Sequence, residues 1–71
     1  MKKARYEALS DFKFMNIETG LYFFVKAGEQ YRINKLDRVH DSLNIVSFDG
    51  VWDAWISLYE FVTHFVEVLN D

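Results

Sequence analysis

Residues 51–70, VWDAWISLYEFVTHFVEVLN, restrict what this chain can fold into more than any other stretch. On a helical wheel of about 100° per residue, Trp55, Leu58, Tyr59, Val62, Phe65, Val66 and Leu69 share one face. Ala54, Phe61 and Val68 form a second apolar row beside it, and Asp53, Ser57, Glu60, His64 and Glu67 gather into a narrower polar stripe. The stretch therefore reads as a helix over 52–69 whose apolar arc covers roughly half the circumference or more, where a helix lying on one sheet needs a stripe of about 100° or somewhat wider. The surplus row calls for a second covering surface, supplied by loops of the same chain, by a second copy or by another protein.

The rest of the chain supplies what such a helix would pack on. Residues 4–9 mix alternation with good helix formers and are read as a strand with Tyr6 inward. Phe12 and Phe14 alternate with Lys13 and Met15, the period of a half-buried strand running to Ile17, and Glu18, Thr19 and Gly20 supply a turn. Residues 21–26 are apolar on both faces up to Val25, which suits a central strand that forms the spine of the sheet. Ala27, Gly28 and Glu29 make a hairpin-length loop. Residues 30–36 return with Tyr31 and Ile33 on one face and Arg32 and Asn34 on the other, and Leu36 falls out of phase, which signals a bulge or the strand's end. Residues 37–42 are a polar connection, residues 43–48 a last strand, and Asp49-Gly50 a turn that leads into the helix, with Asp49 or Asp53 at its N-terminus.

Loops this short make the strands antiparallel, because a parallel connection needs a crossover of about a dozen residues. The expected fold is α+β: a small antiparallel β-meander of three to five strands packed by one C-terminal α-helix, in a single domain over 1–71. A small SH3-like barrel capped by a helix is the alternative. Seventy-one residues without cysteine lie near the lower size limit for a domain that lacks disulfides or metal, a shortage that association relieves. The N-terminal MKKARYEAL has no apolar signal core, and the longest apolar run, residues 21–25, is far short of a membrane span, so a cytoplasmic protein is expected. Short chains free of cysteine and proline and dense in aromatics are common among products of compact genomes such as those of phages and mobile elements.

No reactive constellation stands out. His40 and His64 are the only histidines and neither has a metal-binding partner one turn on, so no metal or other cofactor is expected. His40, Asp41 and Ser42 are consecutive, and neighbours in a loop rarely face one another as a nucleophilic relay requires. The three glycines are isolated and form no phosphate loop. An enzyme and a small-molecule substrate are therefore not expected.

Charge is unevenly spread. All eight cations and five acids fall within the first forty residues, and the other six acids follow without a lysine or arginine. Such polarity describes either two solvated faces or a surface that orients a complex. The leading expectation is a small protein-interaction module that self-associates as a dimer, with interface candidates Phe61, Val68 and Ala54 on the helix and Phe24 and Tyr22 on the 21–25 strand. One alternative is a nucleic-acid-binding edge of Tyr31, Arg32, Lys35 and Arg38, extended by Lys2, Lys3 and Arg5. Another is an acidic inhibitor that sequesters a partner through Asp49, Asp53, Glu60, Glu67 and Asp71.

Overall fold

In a computed structural model, residues 4–68 are described. Lys2, Lys3, Leu69 and Asp71, to which the sequence gives roles, lie outside them. The fold is α+β, antiparallel strands with one helix in the C-terminal part. In order, the elements are β1 (Arg5–Ala8), β2 (Phe12–Met15), β3 (Tyr22–Val25), β4 (Gln30–Asp37), β5 (Ser42–Ser47), β6 (Asp53–Ser57), α1 (Leu58–His64) and β7 (Phe65–Val68). Five strands form one sheet in the order β6-β5-β4-β1-β7, and β2 and β3 pair as a separate hairpin. β4, β5 and β6 pair in chain order as a meander, although the wheel assigns residues 53–57 to the helix. β1 and β7 add beyond β4, so β6 and β7 are the two edges of the sheet.

The helix is much shorter than its wheel predicts, because residues 52–69 are apolar often enough to satisfy a period of two as well as 3.6. In β6 the period of two wins: Ala54 and Ile56 turn inward and are 2% and 0% exposed, while Asp53, Trp55 and Ser57 face out. Ser57 then stops the strand. Its hydroxyl accepts the Glu60 N–H at 3.1 Å and donates to the Glu60 carboxylate at 3.3 Å. Ser57 is thus the N-cap of α1, in a Ser-x-x-Glu sequence, and such a cap is typically worth about 1 kcal/mol. After a helix of seven residues the chain is extended again at Phe65. Asp49-Gly50 accordingly joins two strands: Gly50, at φ 78°, donates to the Ser47 carbonyl at 2.8 Å, and Asp49 accepts from the Ser47 hydroxyl.

Two further expectations are corrected. The segment 27–29 is not a hairpin turn, since β3 pairs with β2 while β4 pairs with β1 and β5. The 21–25 strand is not the spine either. That place belongs to β5, buried along Ser42, Leu43, Asn44 and Ile45. The irregularity expected near Leu36 falls two residues earlier, as a register shift between Ile33 and Lys35.

The core lies between the curled sheet and the β2–β3 hairpin, and aromatic rings bridge the two. Phe14, fully buried, stacks on Phe23 at 5.5 Å and on Phe65 at 5.6 Å. Phe65 meets Tyr31 at 5.6 Å, Tyr31 meets Trp52 at 5.6 Å, and Trp52 returns to Phe23 at 5.4 Å. The five rings close a circuit through β2, β3, β4, β7 and the β5–β6 connection. Asn16 ties down the hairpin's far end: its side-chain oxygen accepts from Trp55 and Glu18, and the next residue, Ile17, donates to the Trp55 carbonyl at 2.8 Å. Phe14→Ala is expected to cost about 3–5 kcal/mol of unfolding free energy. Val39→Ala, on a side chain 86% exposed, should change it by less than about 0.5 kcal/mol. Urea titration followed by tryptophan fluorescence measures both.

Candidate interaction surface

Alternation in the β2–β3 hairpin assigns each side chain to one of two faces. Phe12, Phe14, Phe23 and Val25 point to the core, and the register places Lys13 opposite Phe24 and Met15 opposite Tyr22 on the outside. Tyr22 and Phe24 are 63% and 73% exposed, and Met15 is exposed beside them. The Lys13 ammonium lies over the Tyr22 ring, 4.8 Å from its centre, so the outer face reads as three apolar groups and a cation. Leu21 and Ile17 continue the exposed apolar surface towards the hairpin's turn.

At its other end this face runs into a groove of about 360 Å³ lined by Phe24, Tyr31, Phe48 and Trp52, with Glu29 and Asp49 at its rim. Phe48 is half exposed, and two guanidinium groups flank its ring, Arg5 at 5.3 Å and Arg32 at 5.7 Å. The rim carboxylates are occupied. Glu29 accepts from the Lys26 N–H and the Tyr31 hydroxyl, each at 2.9 Å. Asp49 accepts from the Ser47 hydroxyl and the Val51 N–H, bonds that hold its carboxyl below the usual range. Burial, and then the Glu29 carboxylate it donates to, push the Tyr31 hydroxyl well above the ordinary tyrosine range.

A second exposed apolar surface lies on α1. Phe61 points inward, stacked on Phe65 at 5.1 Å and edge-on to Tyr6 at 5.0 Å. Tyr59 and Val62, on the other side of the helix, are 75% and 64% exposed. The only charged side chains from Leu58 to Val68 other than His64 are Glu60 and Glu67.

The sequence-predicted residues separate accordingly. Tyr22 and Phe24 are open, as an interface requires. Phe61 and Ala54, 6% and 2% exposed, are core residues and offer nothing to a partner in the folded monomer. Relative to the wheel the faces are divided differently: Ala54 is buried in β6 and Phe61 packs on Tyr6 and Phe65, while Tyr59 and Val62 of the expected core face are open. Val68 is half-buried at the sheet's edge strand. The four residues of the alternative edge do not come together as a stacking platform. Tyr31 is buried in the aromatic circuit, Arg32 is half-buried and donates to the Phe48 carbonyl at 3.4 Å, and Lys35 and Arg38 stand exposed further along. Reading the sequence missed Met15, Phe48 and Trp52 as parts of this surface. The period of two in residues 12–15 already signals Met15.

Among the described residues no three His, Asp or Glu side chains converge as metal ligands, and no helix is long and apolar enough to cross a membrane. A wider hollow of about 710 Å³ on the outside of the main sheet is lined in part by Arg32, Asn34 and Asp53. Beneath it Asn44 accepts from Asn34 at 3.0 Å and donates to Asp53 at 2.9 Å, while among the described residues the buried Nε of Arg32 has no hydrogen-bond partner. His40 pairs with Asp37 at 2.8 Å within an exposed turn, an interaction that lowers the Asp37 carboxyl below its usual range.

No protein-family model matches the chain, and no curated protein or solved structure matches it either.

The raised Tyr31 hydroxyl gives a pH signature. The unfolded chain ionises this group near pH 10 and the folded chain only above that, so its contribution to stability is complete below about pH 10 and is lost as pH rises further. In a spectrophotometric titration Tyr31 should be the last tyrosine to ionise, and Tyr31→Phe should remove that latest step alone.

Proposed function

We propose that this chain is a small, non-enzymatic protein-interaction module that self-associates through the outer face of the β2–β3 hairpin. The observation that carries the reading is the pair Tyr22 and Phe24, turned to solvent in a chain whose inner aromatics already complete a core. Two such rings at 63% and 73% exposure, each with about 150–250 Å² to bury, present on the order of 250 Å² before Met15, Leu21 and the groove are added. A standard interface buries about 800 Å² per partner, so the two rings supply roughly a third of one and their exposed neighbours must join them.

Burying a large apolar side chain fully contributes about 1.5–3 kcal/mol, against an association cost of about 4–15 kcal/mol. One ring is therefore too little, and a contiguous cluster is required. The small size of the domain favours the same solution, since a second copy adds the apolar contact that a short chain lacks. The absence of cysteine is compatible with a reducing compartment, and we place the module in the cytoplasm.

Sedimentation velocity over a concentration series tests the proposal. The wild-type chain should associate, and Phe24→Glu should weaken association at least about tenfold, about 1.4 kcal/mol, with an unchanged far-ultraviolet circular dichroism spectrum. A wild-type chain that stays monomeric, or a Phe24→Glu chain that associates equally well, would contradict it.

A further inference from the structure

The hairpin offers a second copy more than its rings. Asn16 donates to the Leu21 carbonyl at 2.8 Å, which makes Asn16 and Leu21 a hydrogen-bonded pair of the antiparallel ladder. Bonded and non-bonded pairs alternate, so the register makes Phe14 with Phe23, and Phe12 with Val25, the next bonded pairs. The backbone N–H and C=O of Tyr22 and of Phe24 therefore point away from β2. No other strand lies beside β3, and among the described residues nothing else bonds these groups. The residues that turn their rings to solvent are also the residues whose backbone is unpaired.

Proteins protect open strand edges with charges, prolines, bulges or a covering segment. β2 carries Lys13 and β7 carries Glu67. β6 carries Asp53 and is bonded at Trp55 by Asn16 and Ile17. On β3 these devices are missing: residues 21–25 hold no charge and no proline, and the register with β2 is unbroken.

We propose that β3 pairs with β3 of a second copy, antiparallel about a two-fold axis at Phe23, which sets the strands in the order β2-β3-β3-β2. This pairing rests on the self-association proposed above, of which it is the geometry. An open strand edge is completed by another extended strand, and three features make that strand the chain's own. The free backbone groups are self-complementary: with Phe23 on the axis, Tyr22 of one copy faces Phe24 of the other, and each N–H meets a C=O. Alternation then sets the Tyr22 ring beside the Phe24 ring of the other copy on the outer face, an aromatic cross-strand pair. The charges also agree with this register. Lys26 of one copy lies beside Gly20 of the other, at the end of the turn that carries Glu18, so the strand ends match opposite signs. The two Lys13 side chains stand on the outer strands, at least three strand spacings or roughly 14 Å apart, beyond the screening length at physiological salt. Glu29 and Asp49, at the groove beside Phe24, are engaged by bonds within their own chain.

Isotope-filtered nuclear Overhauser spectroscopy makes the test, on an equimolar mixture of labelled and unlabelled chain at a concentration where sedimentation shows association. Cα atoms of a non-bonded antiparallel pair lie about 4.5 Å apart, so a cross-peak between the Phe23 Hα of one copy and the Phe23 Hα of the other is expected. Amide exchange at Tyr22 and Phe24 should slow at least about tenfold on association, while that at Lys13 and Met15, on the hairpin's other edge, stays as it is. Cross-peaks between rings of the two copies without the Phe23 Hα cross-peak would overturn the edge pairing and leave a contact between outer faces standing. A chain that stays monomeric at every concentration would overturn the self-association and this pairing together, leaving the edge to a strand of another protein.

Discussion

The rest of the structure depends on the stacking of Phe14 between Phe23 and Phe65. The hairpin and the five-stranded sheet share no strand pairing. They are joined by this ring and the circuit it belongs to, by the Phe12 ring against His64 at 3.6 Å, and by the Asn16 and Ile17 bonds to Trp55. Backbone hydrogen bonds fix each sheet internally, and apolar contact fixes one sheet against the other. Aromatic pairs at 4.5–7 Å are worth about 0.5–1.5 kcal/mol beyond the area they bury, so a closed circuit is an economical way for so short a chain to hold two sheets together.

That solution dictates what remains outside. A two-stranded hairpin has two faces, and alternation sends every second side chain away from the core. Phe23 and Val25 complete the circuit and the layer beneath it, which commits Tyr22 and Phe24 to the outside. The same logic holds on α1, where the Ser57 N-cap sets the start of the helix and thereby aims Phe61 at Tyr6 and Phe65. Tyr59 and Val62 are then outside by geometry. The exposed apolar surfaces thus follow from the packing of the inner rings, and the proposed self-association would give them a surface to pack on.

Much of this was legible in the sequence and some was not, for reasons that particular residues show. Phe12 to Met15 alternate cleanly, and both their strand and their inward face follow from that. The fold class follows from short loops and strand-length alternation. The C-terminal stretch misleads because Trp52, Ala54, Trp55, Ile56, Leu58, Phe61, Val62, Phe65 and Val66 fit two periods at once. The deciding signal was local: Ser57 followed three residues later by Glu60 marks a helix start in the middle of the presumed helix. Pairing partners were hidden because β1 joins β4 and β7 over long separations, and loop length says nothing of those. Tyr31 looked like an outward ring beside a basic edge, and only tertiary packing on Trp52 and Phe65 shows it to be core.

The most direct measurement of the central claim, that the inner rings hold the fold while the outer ones bind, is hydroxyl-radical footprinting of the wild-type chain over a dilution series. Phe14, Phe61 and Phe65 should be protected at every concentration. Tyr22 and Phe24 should be reactive when dilute and become protected as concentration rises, while the still more exposed Val39 and Val51 keep their reactivity. Tyr22 and Phe24 reactive at all concentrations, or Phe61 reactive in the dilute folded chain, would contradict the account.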